Sequence, residues 1–446
     1  MSPFKKSFHK IRFIIWLISA YFKKHAIIIV LGLIIGILIG VKAKEIFIFV
    51  FPGYKVERIG IVGNYTQNSL PLEIQNLLSF GLTDYDKNFN IISKTAQKYS
   101  IKESGKIYEY QLKKNIFWQD KKPLRASDIN YSFKDVVSTV IDPYTIRFKL
   151  SESFAPFPSL TTQPLFKKGL IGLGEYKVIA IENEGKFISK ITVERKKMKI
   201  IYKFYPNEND AVVGFKMGEV DAIKDISNIE SLKKIKGIKI IEENKENQYV
   251  ALFINTRAGI FQEKSFRQAL SYAIEDKLIK EKRAYGPISP NSWAYNPNIK
   301  TYDYNLDSAQ KLLEKSVSGS ESAKIQVKLT ALRPYSKYSK LIIDSWKKLG
   351  IETRTEITTL PPVNFEVLLG AQEIPKDPDQ YLMWHSTSKL NLTGYNNQRI
   401  DKLLEDGRTI VDKNQRKEKY YDFQKFLVED SPVIFLYYPT TYTVTR

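Results

Sequence analysis

Cysteine is absent from all 446 residues. Its absence excludes a disulfide framework, a thiolate metal centre and a cysteine nucleophile, and it removes the residue through which an N-terminal lipid anchor is attached. Histidine is nearly as scarce, with His9, His25 and His385 the three in the chain. Two of these lie in the first 25 residues, so a histidine triad or a multi-histidine metal site has nothing to be assembled from. No glycine-rich phosphate loop occurs, and no HExxH, GxSxG or SxxK arrangement with partners at working spacing. Asp377 and Asp379 are close in sequence, but two acids flanking a proline are a turn signal before they are a catalytic pair. The chain is therefore expected to be no enzyme and to carry no metal or cofactor.

Also missing from the globular part is any block of five or more basic residues, although Lys and Arg total 69 against 48 Asp and Glu, a net charge of +21. A dispersed excess of this kind makes a lysine-rich solvated surface and argues against a nucleic-acid partner. No internal repeat or low-complexity tract is visible. What remains is a long chain, 43% apolar and rich in Tyr and Phe (27 and 25). It is too long for one ordinary core, and its rings suit both cores and ligand clefts.

One segment stands apart. Ala26 to Val41 (AIIIVLGLIIGILIGV) carries no charge and no strongly hydrogen-bonding side chain. It is slightly shorter than the ~20 residues that cross a hydrocarbon layer. Lys42 and Lys44 can snorkel, and tilt or local thinning absorbs the difference. Lys5, Lys6, Lys10, Arg12, Lys23 and Lys24 precede it, so the positive-inside rule keeps that end cytoplasmic and exports everything after about residue 50. Ile11 to Phe22 is shorter and flanked by basic residues, which reads as a helix lying on the inner leaflet, with a second crossing as the alternative. A cleaved signal peptide ending at Val41-Lys42-Ala43 is the competing account. The long basic leader and the apolar run Ile46 to Phe51 favour retention. The expectation is a single-pass membrane protein with an N-terminal transmembrane helix, a cytoplasmic N-terminus and an extracytoplasmic globular part.

Within that part, Ile107 to Leu112 and Tyr144 to Leu150 alternate as half-buried strands do. Ala126-Ser127-Asp128 reads as a capped helix start. Further strands are expected over Gly169 to Ala180 and Lys199 to Tyr205. In the second half Phe266, Ala269, Leu270, Ala273, Ile274 and Leu278 fall at helical spacing, and Asn305 with Asp307 opens another helix. A strand over Lys324 to Ala331, a helix from about Tyr338 to Leu349, the left-handed cap Gly350 and a strand over Ile351 to Ile357 make a βαβ unit on a parallel sheet. Helices over Arg399 to Val411 and Gln415 to Glu429 come next, the second ended by Pro432.

Six segments, in order, carry a resemblance. They are Gly60 to Thr83, Tyr108 to Phe133 (with its Trp-Gln-Asp-Lys-Lys-Pro turn), Gly218-Glu219-Val220-Asp221-Ala222, Leu252 to Ile274 (with Arg-Gln-Ala-Leu), Asp377-Pro378-Asp379-Gln380-Tyr381, and Arg399 to Leu404. Together they resemble the family 5 extracellular solute-binding proteins, the peptide-, nickel- and oligosaccharide-binding components of ABC importers. The resemblance spans about residues 58 to 438. Three departures are visible: Lys121 stands where the family usually has glycine, the stretch between Phe133 and Tyr144 is short, and the chain stops at Arg446.

The resemblance implies an α/β, two-lobed periplasmic-binding-protein-like fold of type II, large cluster C type. Residues 56–249 plus 432–446 would form lobe I and 250–431 lobe II, after a leader and anchor at 1–55. Ligand would be enclosed between the lobes, with hinge crossings at Asn247 to Asn255 and Pro432 to Tyr438. It implies a peptide ligand held through its main chain, and ABC permease subunits as partners. The acid that pairs with a ligand ammonium usually lies four residues before the proline, which here is Ile374. Glu373 or Asp377 takes that role if the site is shifted; otherwise the ligand lacks a free amine. Gly370, Ala371 and Gln372 would be the pairing strand, or an ordinary sheet edge. Asn64, Tyr65 and Thr66 would face the cleft from the other lobe, or form a plain turn. Trp384 and Tyr395 would wall side-chain pockets, while Trp118 packs the signature turn. Nickel is a poor ligand for an exported part with one histidine. The alternatives are an oligosaccharide ligand, a sensor or scaffold ectodomain, or an exported hydrolase, the last lacking its histidine constellation.

Overall fold

A computed structural model describes residues 55–275, 279–317 and 325–446, with the isolated positions Trp16, Lys24, His25, Gly32 and Gly36. The segment expected to cross the membrane, Ala26 to Val41, the one expected to lie on the inner leaflet, Ile11 to Phe22, and Leu278 and Lys324 otherwise lie outside the described residues. Among the described residues no helix is long and apolar enough to cross a membrane. The chain forms two compact units, one of residues 1–57 with 194–200, the other of 58–193 with 201–446. In the first, the Lys55 amide donates to Lys197 O at 2.7 Å. Everything that positions the site belongs to the second.

Three larger sheets organise the chain. A seven-stranded sheet has the order Lys239–Asn244, Thr440–Thr445, Ala222–Ile226, Lys55–Val62, Met198–Tyr205, Phe187–Arg195, Lys177–Glu184. Its parallel pair sets Ile59 beside Ala222 and Gly60 beside Ile223. A four-stranded antiparallel sheet has the order Ala96–Lys102, Ile107–Leu112, Thr145–Leu150, Val136–Asp142. The alternation of IYEYQL and TIRFKL buries Tyr108, Tyr110, Leu112, Ile146, Phe148 and Leu150 on one face, where Trp118 and Phe157 join them.

The third sheet has five strands in the order Glu352–Thr358, Gln326–Leu332, Val367–Glu373, Gln248–Ile254, Val433–Tyr437. Gln326–Leu332 and Glu352–Thr358 run parallel in continuous register, joined through the helix Ser339–Lys347 and Gly350 at φ +76°. This is the expected βαβ unit. Gln248–Ile254 is sandwiched on both faces: Tyr249, Ala251 and Phe253 enter one core, Val250, Leu252 and Ile254 the other. Two-sided burial explains why QYVALFI is a nearly unbroken apolar run. The helices Gln398–Thr409 and Lys413–Asp430 cover the first face, Lys264–Tyr272 and Ser339–Lys347 the second.

The chain passes between the seven- and five-stranded sheets twice. It leaves Lys239–Asn244 for Gln248–Ile254, and leaves Val433–Tyr437 for Thr440–Thr445. The crossings lie side by side, since Lys245 N donates to Pro439 O (2.8 Å) and Thr440 Oγ1 bonds Asn244 Oδ1 at 3.0 Å.

Two local expectations meet a different outcome: the strand expected over Gly169 to Ala180 begins at Lys177, and the expected helix start at Ala126 does not form. Ala126–Asp128 is one 3-10 turn, not a helix start. The Asp128 carboxylate accepts from Arg125 N and from Trp118 Nε1 (2.9 and 3.1 Å), as a cap would, but Tyr131 and Phe133 are then drawn into the aromatic core. Lys121 keeps the turn that glycine would make: it sits at φ +67° and its amide donates to Trp118 O at 2.8 Å. A left-handed lysine costs about 1–2 kcal/mol, partly offset by the extra freedom glycine has in the unfolded chain. Lys121→Gly is accordingly expected to raise the urea midpoint, with a gain of about 0.5–1 kcal/mol.

Candidate ligand-binding site

The Val367–Glu373 strand leads into the site. Its register pairs Gln248 with Glu373 and Ile254 with Val367, and Ile374 N donates to Asn247 O at 2.7 Å. Antiparallel alternation therefore turns the amide and carbonyl groups of Ala371 and Glu373 to the opposite edge. On that edge, strand pairing stops at Ala331 with Leu369. The strand ends with a main-chain edge that has no strand across from it.

The turn after this strand is held by two arginines. Asp377 receives a bidentate pair from the buried Arg416 (2.6 and 3.0 Å), whose Nε donates to Gly407 O at 2.6 Å. Burial disfavours the charged guanidinium, but Asp377 and Tyr420 outweigh it and hold the Arg416 pKa above its ordinary value. Asp379 takes a second fork from Arg408 (2.9–3.0 Å) and accepts from Tyr381 N at 3.1 Å. Arg408 lies 3.9 Å over the Tyr381 ring, which stacks on His385 with centroids 4.0 Å apart. Both carboxylates of the turn are thus neutralised from within the protein.

Segments from the first half of the chain close over this turn. Ala155 N donates to Arg408 O (2.6 Å), Trp293 N donates to Asn88 O (3.1 Å), and Lys413 Nζ donates to Asn90 Oδ1. The Tyr85 hydroxyl is pushed up to about 12, chiefly by burial and then by the charge of Asp377. Between the two halves lies a cleft of about 910 Å³ whose walls include Phe133, Phe154, Phe157, Tyr381, Glu405 and Arg408. A smaller chamber of about 230 Å³ is bounded by Asn90, Tyr99, Trp293, Asp377, Lys413 and Arg416.

The expected site residues fall in several different places. Asn64 is exposed, and Thr66 opens a short 3-10 turn, its amide donating to Ser69 Oγ at 2.9 Å. Tyr65 is half-buried, packs 5.0 Å from Phe204 and donates its hydroxyl to Val62 O. Gly370 is buried, Ala371 and Gln372 are half-buried, and Glu373 is exposed at the strand end. Among the described residues no hydrogen bond, ion pair or ring contact joins Asn64–Thr66 to Gly370–Glu373. Asp377 faces the smaller chamber, but its two oxygens are occupied by Arg416. Trp384, expected as a pocket wall, is 2% exposed and packed in the core behind the five-stranded sheet, whereas Tyr395, 4% exposed in the same core, also lines a separate recess of about 470 Å³ with Arg257, Lys264, Arg267 and Asp430. Tyr395 donates its hydroxyl to Asp430 Oδ2 at 2.6 Å. Trp118 packs the signature turn as expected, buried and donating to Asp128.

Arg408, Arg416, Lys413, Trp293 and Phe154 are the side chains that sequence reasoning missed. The two arginines lie 29 and 39 residues from their carboxylates, and no local pattern links them.

Residues 90–389 match the family described as bacterial extracellular solute-binding proteins, family 5 Middle. The chain belongs to this family. Among its relatives is the oligopeptide-binding protein AppA of Bacillus subtilis, 23% identical over 458 residues, covering 85% of this chain and 84% of AppA. The same fold is seen in NikZ from Campylobacter jejuni, solved in complex with Ni(L-His), with TM-score 0.72 and 21% identity over 88% of this chain and 94% of NikZ. It is seen again in AppA from Bacillus subtilis solved with a nonapeptide, with TM-score 0.67 and 22% identity over 88% of this chain and 94% of that one. The family 5 fold is thus the α/β, two-lobed periplasmic-binding-protein-like architecture. Among the described residues of this member, no group of three or more His, Asp or Glu side chains is placed to hold a metal ion.

Proposed function

We propose that this family 5 protein is a membrane-anchored, extracytoplasmic receptor that captures peptides between its lobes and delivers them to an ABC import permease without covalent chemistry. In place of the expected 56–249 with 432–446 and 250–431, lobe I is taken as residues 56–244 with 440–446 and lobe II as residues 248–437, because Gln248–Ile254 and Val433–Tyr437 are both strands of the five-stranded sheet; the hinge is then at the paired crossings at Lys245 and Pro439. The observation that carries the peptide reading is the main-chain edge at Ala371 and Glu373, which has no strand across from it, because an extended peptide can add to such an edge whatever its side chains. The name of the relative AppA supports the same ligand class. The uncharged segment Ala26 to Val41 supports the anchor, in a chain with no cysteine to carry a lipid.

Glu373, exposed at the end of that edge, is the acid that meets a ligand ammonium. Asp377 and Asp379 are closed to this role by their arginines. Asn64, Tyr65 and Thr66 face the ligand from lobe I.

With the full-length protein in detergent, a mixed di- to pentapeptide library is expected to raise the melting temperature. A shift with oligosaccharides and none with peptides sinks the peptide assignment. Glu373→Gln is expected to weaken free-amine peptides about tenfold more than N-acetylated ones, the equivalent of ~1.4 kcal/mol. Equal loss for both would remove Glu373 as the amine partner.

A further inference from the structure

We infer that the exposed edge strand Val136–Asp142 is a pairing surface for a second copy of this chain, joined antiparallel about a two-fold axis at Ser138.

An open sheet edge invites pairing with another chain, and this chain protects its other edges. In the three larger sheets the outer strands Lys239–Asn244, Lys177–Glu184, Glu352–Thr358 and Ala96–Lys102 each carry two or more charged side chains. The remaining outer strand of the five-stranded sheet, Val433–Tyr437, is buried. Val136–Asp142 differs from all of these. It reads VVSTVI before its first charge at Asp142, and five of those six residues are β-branched, the type that fits a pleated surface best. Val137, Val140 and Ile141 are 65%, 49% and 47% exposed. No proline interrupts the strand, and its one irregularity, between Val140 and Asp142, lies at its end.

The main chain of this strand has its free groups on the outer side. Ser151 N donates to Asp135 O, whereas Leu150 N donates the other way, to Lys106 O. The register continues with Val137 beside Lys149 and Thr139 beside Arg147. Antiparallel alternation therefore turns the amides and carbonyls of Val137 and Thr139 into the sheet, and those of Val136, Ser138 and Val140 outward. On that outer side the sheet has no further strand.

The strand is also complementary to itself. With the axis at Ser138, the outward groups of Ser138 meet those of the partner's Ser138, and Val136 meets the partner's Val140. Each such pair exchanges both main-chain hydrogen bonds. Val137 then lies across from the partner's Thr139, one β-branched side chain against another. The same axis brings Lys134, before one end of the strand, within reach of the partner's Asp142 at the other end. Both side chains are exposed, and neither is in an ion pair within its own copy among the described residues. Ends of one sign would repel in this arrangement; ends of opposite sign attract twice.

An edge ladder of this length is a contact of transient size, so it gains from anything that holds two copies together. The membrane anchor proposed above does that. Lys134, Asp135 and Val136 also line the 910 Å³ cleft, so the pair forms at the cleft's rim.

The chain has no cysteine, so Ser138→Cys supplies a single thiol for the test. Hydrogen-bonded partners across an antiparallel pair have Cα atoms about 5.5 Å apart, a span that a disulfide bridges. Under mild oxidation, full-length Ser138→Cys in detergent is expected to form a disulfide-linked dimer about tenfold faster than Ile179→Cys. Ile179 is equally open to solvent but lies on the charged edge strand Lys177–Glu184. Equal rates for the two thiols overturn the pairing. Charge reversal tests the axis. In the Ser138→Cys protein, Lys134→Glu is expected to slow the dimer about tenfold, and Asp142→Lys added to it to restore the rate. A double variant as slow as Lys134→Glu alone overturns the axis at Ser138. No ligand is present in either arm, so failure here leaves the peptide reading untouched.

Discussion

Asp377→Ala is expected to destabilise the protein by about 3–5 kcal/mol and to leave its preference between free-amine and N-acetylated peptides untouched. The first half rests on burial. Arg416 and Asp377 have side chains 7% and 11% exposed, and the substitution strands a guanidinium whose remaining hydrogen-bond partners among the described residues are Gly407 O and Tyr420 Oη. A charge held out of water without its counter-ion is among the few single changes that act on this scale, a large fraction of a typical ~5–15 kcal/mol total. The double variant Asp377→Ala with Arg416→Met is expected to recover most of the loss, because it removes the stranded charge along with its partner. The second half separates structure from recognition. A carboxylate whose charge is already met by Arg416, and whose Oδ1 also accepts from Asp379 N, gains little from a ligand ammonium. Urea midpoints for the single and double variants, with binding of both peptide classes to the double variant, check the two halves. An undiminished midpoint for Asp377→Ala would mean the pair is open to water. A lost amine preference in the recovered double variant would return Asp377 to the binding site.

This pair also marks the limit of what is legible in the residues alone. Periodicity and caps are local, and they can be read directly: the alternation of IYEYQL and TIRFKL, the apolar run QYVALFI, and Gly350 closing the helix of the βαβ unit. The six ordered segments point to family 5 for the same reason, since each is a local turn or helix start. Side-chain partnership across 39 residues is not local, and Asp377 in its turn looks the same with or without Arg416. Aromatic residues carry a related ambiguity. Trp384 and Tyr395 suit a pocket wall or a core equally well until the face they occupy is known; Trp384 lies in the core behind the five-stranded sheet, and Tyr395 packs into that core while lining the recess beside Arg267 and Asp430. The signature turn is hard to read for another reason. A lysine in place of glycine changes the energy of a left-handed position without forbidding it, so the backbone is kept at φ +67°.

Arg267→Met is expected to destabilise the protein by about 3–6 kcal/mol, and Arg267→Lys to restore only a minor part. Arg267 comes from the Arg-Gln-Ala-Leu helix and is buried. Its fork donates twice to Asp430 O (2.7 and 3.0 Å), while Nη1 donates to Phe261 O and Gln262 O, each at 2.8 Å. Its neighbour Gln268 donates to Glu429 O at 2.8 Å. The two side chains therefore satisfy carbonyls at the C-terminal end of the Lys413–Asp430 helix, which have no partner within the helix. Burial pulls the Arg267 pKa down and the charge of Asp430 opposes it, so the cation is retained where it favours the helix dipole. Methionine fills much of the volume and leaves three carbonyls without donors, each worth about 1–3 kcal/mol when buried. Lysine reaches one of them as a point donor and cannot reproduce the fork. The position is consequential because of the segment it anchors. Ser431 turns through a left-handed conformation at φ +49°, and the chain then enters Val433–Tyr437 and the return crossing to the seven-stranded sheet. Loosening this helix end frees the segment that ties the five-stranded sheet to the crossing. Amide hydrogen exchange in the Lys variant should therefore rise first at residues 428–438. Protection that falls uniformly across the molecule would show that Arg267 stabilises the fold as a whole without a special hold on the crossing.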